Sequence, residues 1–288
     1  MFTIAEQRAL DQLSTPGGRL GILAADQRTK LVAAREEAGL PSDMESLRAF
    51  KLDLVQALAP HTPGVLLDPE IALPHVLEHR ALPGHTGLLV SLERSGSIPA
   101  PGGLRAAELL PGVGATGVRR LGGTAAKLLV RLRADREDAD GANAALIRSA
   151  AADCAAAHLL LVVEVLVYRA DDEDPSAFAA RRAGLIRDGA LLAEACGARF
   201  LKLEYPGDAA GCEALTEALE APWALLSAGV DHETFVGQLR TALAAGAAGF
   251  IAGRSIWKES AGMDTEPRRA FLRGEARRRL DELLEMVG

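Results

Sequence analysis

Residues 159–205, LLLVVEVLVYRADDEDPSAFAARRAGLIRDGALLAEACGARFLKLEY, decide the fold. Two short apolar runs, LLLVVEVL (159–166) and RFLKLEY (199–205), flank an Ala/Leu/Arg segment, Ser176–Cys196, with helical periodicity. Neither run alternates polar and apolar residues as a half-exposed strand does. Both suit parallel strands covered on two faces. The unit reads strand, helix, strand.

The same unit recurs along the chain. Further apolar runs are GILAAD (21–26), GVLLD (64–68), GLLVS (87–91), AKLLVRL (126–132), WALLSAG (223–229) and GFIAGR (249–254), which makes eight in all. Helical candidates in the gaps include Ser42–Leu58, Ala142–Ala156 and Glu233–Ala245, and a final helix is expected over Glu266–Met286. Eight β/α units in 288 residues predict an α/β protein, a closed (β/α)8 TIM barrel forming a single domain over residues 1–288, since such a barrel needs roughly 250. An open doubly wound sheet is the alternative. Residues 98–117 read as a loop and helix lead-in rather than a domain boundary.

With 49% hydrophobic residues the chain can bury a sizeable core. A net charge of −7 argues against nucleic acid or an anionic membrane as partner, but not against a small anion held by local charge. Cys154, Cys196 and Cys212 fit no metal or redox spacing. The N-terminal segment lacks the basic and apolar regions of a secretion signal, and a cytoplasmic enzyme is expected.

The informative residues interrupt the apolar runs, toward the face where barrel enzymes place their chemistry. Asp26 closes the first run, Lys127 enters the fourth, Glu164 interrupts the fifth, Lys202 lies within the sixth, Ser227 ends the seventh and Arg254 the eighth. The chain has five lysines against 27 arginines, so it uses arginine wherever any cation serves. Two of the five nonetheless fall inside strands. Lysine can lose its proton and attack a carbonyl; arginine effectively cannot. The plain alternative for each is a structural ion pair.

The chemistry is coherent. A second cation and burial favour the neutral amine of Lys202, which adds to a ketone and loses water to give an iminium. Glu164 is placed to shuttle protons, and Asp26 to act as base toward a departing hydroxyl. SAGVD (227–231) and AGFIAGR (248–254) put glycines and Arg254 in the loops that commonly build a barrel's phosphate site.

With these residues in place, the sequence resembles the class I aldolases acting on tagatose 1,6-bisphosphate and on 6-deoxy-6-sulfofructose 1-phosphate. The resemblance covers nearly the whole chain and is most specific at ILAADQR (22–28), AAKLLVRLRADRED (125–138), ARFLKLEYP (198–206), PWALLSAGVD (222–231) and AAGFIAGRSIW (247–257). It implies Lys202 as the Schiff-base lysine, Glu164 as the acid/base and Lys127 as the lysine beside the imine. It also implies that Asp26 and Gln27 face the substrate, and that Ser227, Gly229 and Arg254 contact its anionic end groups. The products implied are dihydroxyacetone phosphate and a three-carbon aldehyde, with no metal or cofactor, in a homo-oligomer. The C6 group is phosphate or sulfonate, and the assignment of Ser227, Gly229 and Arg254 to either end stays open. Arg94 and Arg131 are candidates for the far anionic group, or are solvated or ion-paired arginines.

Other signals carry less. HVLEH (75–79) formally matches a zinc-protease pattern but reads as an exposed turn, and six scattered histidines suggest no class II metal site. GVGATG (112–117) matches GxGxxG without the preceding strand that a dinucleotide site needs. Two competing functions stand beside the aldolase: a Schiff-base transaldolase, and a non-catalytic barrel that senses sugar phosphates.

Overall fold

The apolar runs become eight parallel strands that close on themselves. The computed structural model describes residues 1–288. Its barrel strands are β1 (Leu20–Ala25), β2 (Gly64–Leu67), β3 (Gly87–Ser91), β6 (Ala125–Arg131), β7 (Leu160–Leu166), β8 (Phe200–Leu203), β9 (Trp223–Leu225) and β10 (Gly249–Ala252). Each pairs in parallel with the next around the ring, and β1 closes it against β10 with Leu20 opposite Gly249. Two further strands, β4 (Ile98–Ala100) and β5 (Leu104–Ala106), form an antiparallel hairpin outside the ring.

Period-two geometry sorts the strand residues into two cores. Ile22, Leu66, Leu89, Ala125, Leu160, Phe200, Ala224 and Ile251 fill the barrel's interior. Their neighbours, such as Leu23, Val65, Val90, Leu128, Val163 and Leu201, point outward and pack under the surrounding helices. Both sets are apolar, which is why the runs show no alternation. Helix Ile4–Leu13 stoppers the N-terminal end: Ala9 and Leu13 belong to the interior cluster. Gly64 and Gly87 make room for it, since a Cβ at either would lie 2.6 Å from a methyl of Leu13. The opposite end stays open, and there the inward positions turn polar.

Most expected helices appear within two residues of their predicted bounds: Met44–Leu58, Ala142–Ala156, Pro175–Ala195 and His232–Ala244. Three expectations need correction. Residues 98–117 hold the β4–β5 hairpin, turned by Gly102 and Gly103 at φ 76° and 72°, before a helix over Ala115–Arg120. Three-residue strands beside prolines are too short for a readable period. The C-terminal helix is Thr265–Phe271 and Arg277–Val287 joined by one π turn, Leu272–Ala276. The HVLEH segment is a short helix, His75–Glu78, with Val76 buried. No helix is long and apolar enough to cross a membrane.

Candidate active site

Four of the sequence-predicted residues meet in one buried cluster. In register, Glu164 on β7 lies beside Lys202 on β8, and Lys202 Nζ donates to Glu164 Oε2 at 2.9 Å. The same oxygen lies 2.9 Å from Lys127 Nζ, so one carboxylate bridges the two strand lysines. Lys127 Nζ also donates to Asp26 Oδ2 at 2.8 Å and to Glu93 Oε1 at 2.7 Å. Glu93, just past β3, is the member the sequence reading missed. Its side chain also accepts from Leu129 N at 3.0 Å. The signal for it was period two continued beyond the strand, through Leu89 and Ser91 to Glu93, all inward.

The two lysines are therefore not equivalent. Lys127 is enclosed by three carboxylates, whereas Lys202 contacts one that it shares. Burial alone would lower the pKa of Lys127, but Asp26, Glu164 and Glu93 together hold it well above its ordinary value. Burial would likewise raise Asp26 and Glu164; the charges of Lys127 and Lys202 outweigh it and hold both below the usual carboxylate range. Burial prevails at Glu93, which is raised despite Lys127. Lys127 is an ammonium locked in place.

The cluster floors the open mouth of the barrel, a cleft of two adjoining lobes. One lobe, of about 250 Å³, lies against Asp26, Arg28, Glu93, Lys127 and Arg131; the other, of about 180 Å³, against Lys202, Ser227 and Ala228. Gln27, Glu164 and Arg254 line both. Asp26 Oδ1 and Gln27 Oε1 are buried acceptors without a donor. Buried polar atoms in native proteins are nearly always satisfied, so these two acceptors are suited to hydroxyl donors on a ligand.

Beside Lys202 lies a turn with unpaired backbone amides. After β9 the backbone turns through left-handed Ala228 and Gly229, φ 49° and 85°, and the amides of these two residues bond to no backbone carbonyl. Gly229 lines neither lobe itself. It lies under the Arg254 guanidinium, where a Cβ would come within 3.0 Å of the central carbon. Arg254 begins the short helix Arg254–Trp257, two residues beyond β10. Free amides, a helix start and an unneutralised guanidinium suit a tetrahedral oxyanion.

The family then becomes legible from outside the chain. Residues 20–259, from the first strand to just past Arg254, match the DeoC/LacD family aldolase. This chain belongs to that aldolase family. The aldolase is 26% identical to tagatose 1,6-diphosphate aldolase 2 of Enterococcus faecalis, over 99% of this chain and 94% of that protein. It is 27% identical to tagatose 1,6-diphosphate aldolase of Streptococcus agalactiae, over 99% and 96%. Among solved structures, fructose-bisphosphate aldolase from Plasmodium falciparum superposes with a TM-score of 0.72 at 16% identity, covering 98% of this chain and 94% of that one. An archaeal fructose-1,6-bisphosphate aldolase, solved with its catalytic lysine bound to a carbinolamine intermediate, gives 0.62 at 17% identity, over 97% and 99%. The last two likenesses speak to the barrel fold. The aldolase is thus a lyase of carbohydrate chemistry on a (β/α)8 barrel.

Behind the wall of this aldolase sits a third buried lysine, to which the sequence reading gave no role. Lys51, on helix Met44–Leu58, is fully buried and lies 2.9 Å from Asp68 Oδ2. Its Nζ also donates to the carbonyls of Ala25 and of Gln27, the latter at 2.7 Å, on either side of Asp26. Lys51→Met leaves a fully buried Asp68 without its cation, and the expected loss is about 3–5 kcal/mol. Urea denaturation measures it; a loss below ~1 kcal/mol would show the pair to be idle.

Proposed function

We propose that this aldolase acts through a Schiff base on Lys202, cleaving a ketose 1-phosphate with an anionic group at C6. The supporting observation is the inequality of the two strand lysines. Three carboxylates pin Lys127 as an ammonium, leaving Lys202, in the smaller lobe, as the amine free to attack C2. The carbinolamine loses water with Glu164 giving and taking protons, and the iminium results. Asp26 accepts the proton of the C4 hydroxyl as the C3–C4 bond breaks, its electron pair passing into the iminium as an enamine. A three-carbon aldehyde leaves. Protonation of the enamine and hydrolysis of the imine release dihydroxyacetone phosphate and free Lys202. The C1 phosphate lies next to C2, and the seat at Ser227, Ala228, Gly229 and Arg254 adjoins Lys202, so we place it there. Tagatose 1,6-bisphosphate, in keeping with the named relatives, and 6-deoxy-6-sulfofructose 1-phosphate are the two substrates to be compared.

The direct test is reductive trapping. Dihydroxyacetone phosphate with sodium borohydride is expected to leave a covalent adduct on Lys202, located by peptide mass spectrometry. An adduct on Lys127 instead, or none on folded protein, rules the assignment out.

A further inference from the structure

Asp26 stands where the barrel's own hydrogen bonds run out. It follows β1 directly, with Oδ2 held by Lys127 and Oδ1 buried without a donor. The pairing of β1 with β10 ends at Leu23–Ala252, and its pairing with β2 ends at Ala25–Leu67. No backbone amide reaches the carbonyl of Gln27. Two side chains take the place of the missing ladder. Trp257 Nε1 donates to the carbonyl of Ala24 at 3.0 Å. Lys51 Nζ donates to the carbonyls of Ala25 and Gln27, the latter at 2.7 Å. One helix, Met44–Leu58, backs both, since Phe50, next to Lys51, meets Trp257 edge to face with ring centroids 5.7 Å apart.

A lysine suits this place. Its three N–H groups meet three acceptors: the two carbonyls and Asp68 Oδ2, which lies 2.9 Å away. Asp68 is the residue after β2, and its other oxygen accepts from the amides of Ile71 at 2.6 Å and Glu70 at 3.2 Å. The carboxylate is therefore fixed, and it fixes the ammonium in turn. Lys51 and Asp68 are both fully buried. A buried ion pair stabilises a fold no more, on average, than well-packed apolar side chains of the same volume. What apolar side chains cannot do is hold two carbonyls. The pair's effect on its surroundings is thus geometric, and the residue between those carbonyls is Asp26.

We infer that Lys51, anchored by Asp68, is a positioning residue for Asp26: it grips the carbonyls on either side and so aims Oδ1 at the C4 hydroxyl. This rests on the reading above, in which Asp26 is the base for carbon–carbon cleavage. Lys51 lines neither lobe of the cleft, so it acts through the backbone alone. Misplacing a reacting group by about 1 Å slows a reaction on the order of 10²-fold. Schiff-base formation uses Lys202 and Glu164 and needs no proton transfer at Asp26. Loss of the grip therefore falls on cleavage and spares imine formation.

The test sets the double variant Lys51→Met/Asp68→Asn beside Asp26→Asn. Lys51→Met alone strands a charge; the double change does not, and its urea midpoint should lie closer to the parent's. Two rates are read on each folded protein. One is borohydride trapping of dihydroxyacetone phosphate on Lys202. The other is cleavage of tagatose 1,6-bisphosphate or 6-deoxy-6-sulfofructose 1-phosphate, whichever the parent cleaves faster. In the double variant, trapping and KM are expected to stay within about 2-fold of the parent while kcat falls about 30-fold. Asp26→Asn is expected to show the same split more deeply, about 10³-fold in kcat. Cleavage that recovers together with the urea midpoint reduces Lys51 to a structural ion pair and overturns the inference. Trapping that falls in step with cleavage overturns it too. The underlying reading fails by different signs: a parent unlabelled at Lys202, or an Asp26→Asn protein that cleaves at the parent's rate. If Asp26→Asn shows the split and the double variant does not, only the role of Lys51 is lost.

Discussion

Lys202→Met is expected to abolish carbon–carbon cleavage while leaving the barrel folded. Methionine keeps most of the side-chain volume at a position only 4% exposed, so the interior stays filled. Glu164 is not orphaned, because its Oε2 remains 2.9 Å from Lys127 Nζ. Substitution therefore removes a nucleophile without stranding a charge. Without the amine no iminium forms, and the C3–C4 electron pair has nowhere to go. The expected fall in kcat is at least about 10⁴-fold, the scale seen when a covalent nucleophile is deleted. The melting temperature should shift by no more than roughly 4 °C, the equivalent of ~1–2 kcal/mol in a domain this large. Steady-state turnover and a thermal melt on the same preparation decide the matter. Turnover within tenfold of the parent would mean that another group carries the chemistry.

How much of this was legible in the sequence depends on the period of each segment. The barrel was, because its strands are largely apolar on both faces and most helices between them are long enough to show their own repeat. Lys127, Glu164 and Lys202 were, because a charge inside such a run must pair or serve the chemistry. Glu93 was not, since it lies beyond the end of β3 in a segment rich in Ser, Arg and Gly that reads as loop. Lys51 was not, because in MESLRAFKLDLVQAL a lysine two residues before an aspartate resembles an ordinary solvated face; only the wrap of that helix around β1 buries it. The hairpin failed for the opposite reason, with strands of three residues and a turn made by two glycines. Residues whose meaning comes from their own strand were readable. Residues whose meaning comes from what lies across the barrel were not.

Lys127→Met should behave unlike Lys202→Met, and the contrast separates their roles. Lys127 is the only cation in contact with Asp26 and the closest to Glu93, and both are nearly inaccessible to water. Removing it leaves buried carboxylates facing one another, and a loss of about 3–5 kcal/mol at neutral pH is expected. The pH dependence has a definite sign. In the parent, the depressed pKa values of Asp26 and Glu164 contribute stability that is present above their unfolded values, around pH 4, and is lost as pH falls through the lower folded values. In the variant Asp26 and Glu93 lose the cation they contact, burial prevails at Asp26 as it already does at Glu93, and these two carboxyls take up protons at higher pH, while Glu164 keeps Lys202 at 2.9 Å. The variant's deficit is therefore greatest near neutrality and shrinks as the pH is lowered toward about 5. Urea midpoints for both proteins at the two pH values measure this directly. A deficit that stays constant or grows on acidification would mean that the carboxylates do not depend on Lys127. Catalysis should fall as well, by about 10²–10³-fold, since Asp26 loses the cation that keeps it ionised as a base. Because Lys202 remains, borohydride trapping of dihydroxyacetone phosphate should persist in Lys127→Met at a reduced rate, whereas in Lys202→Met it is absent at any time of incubation.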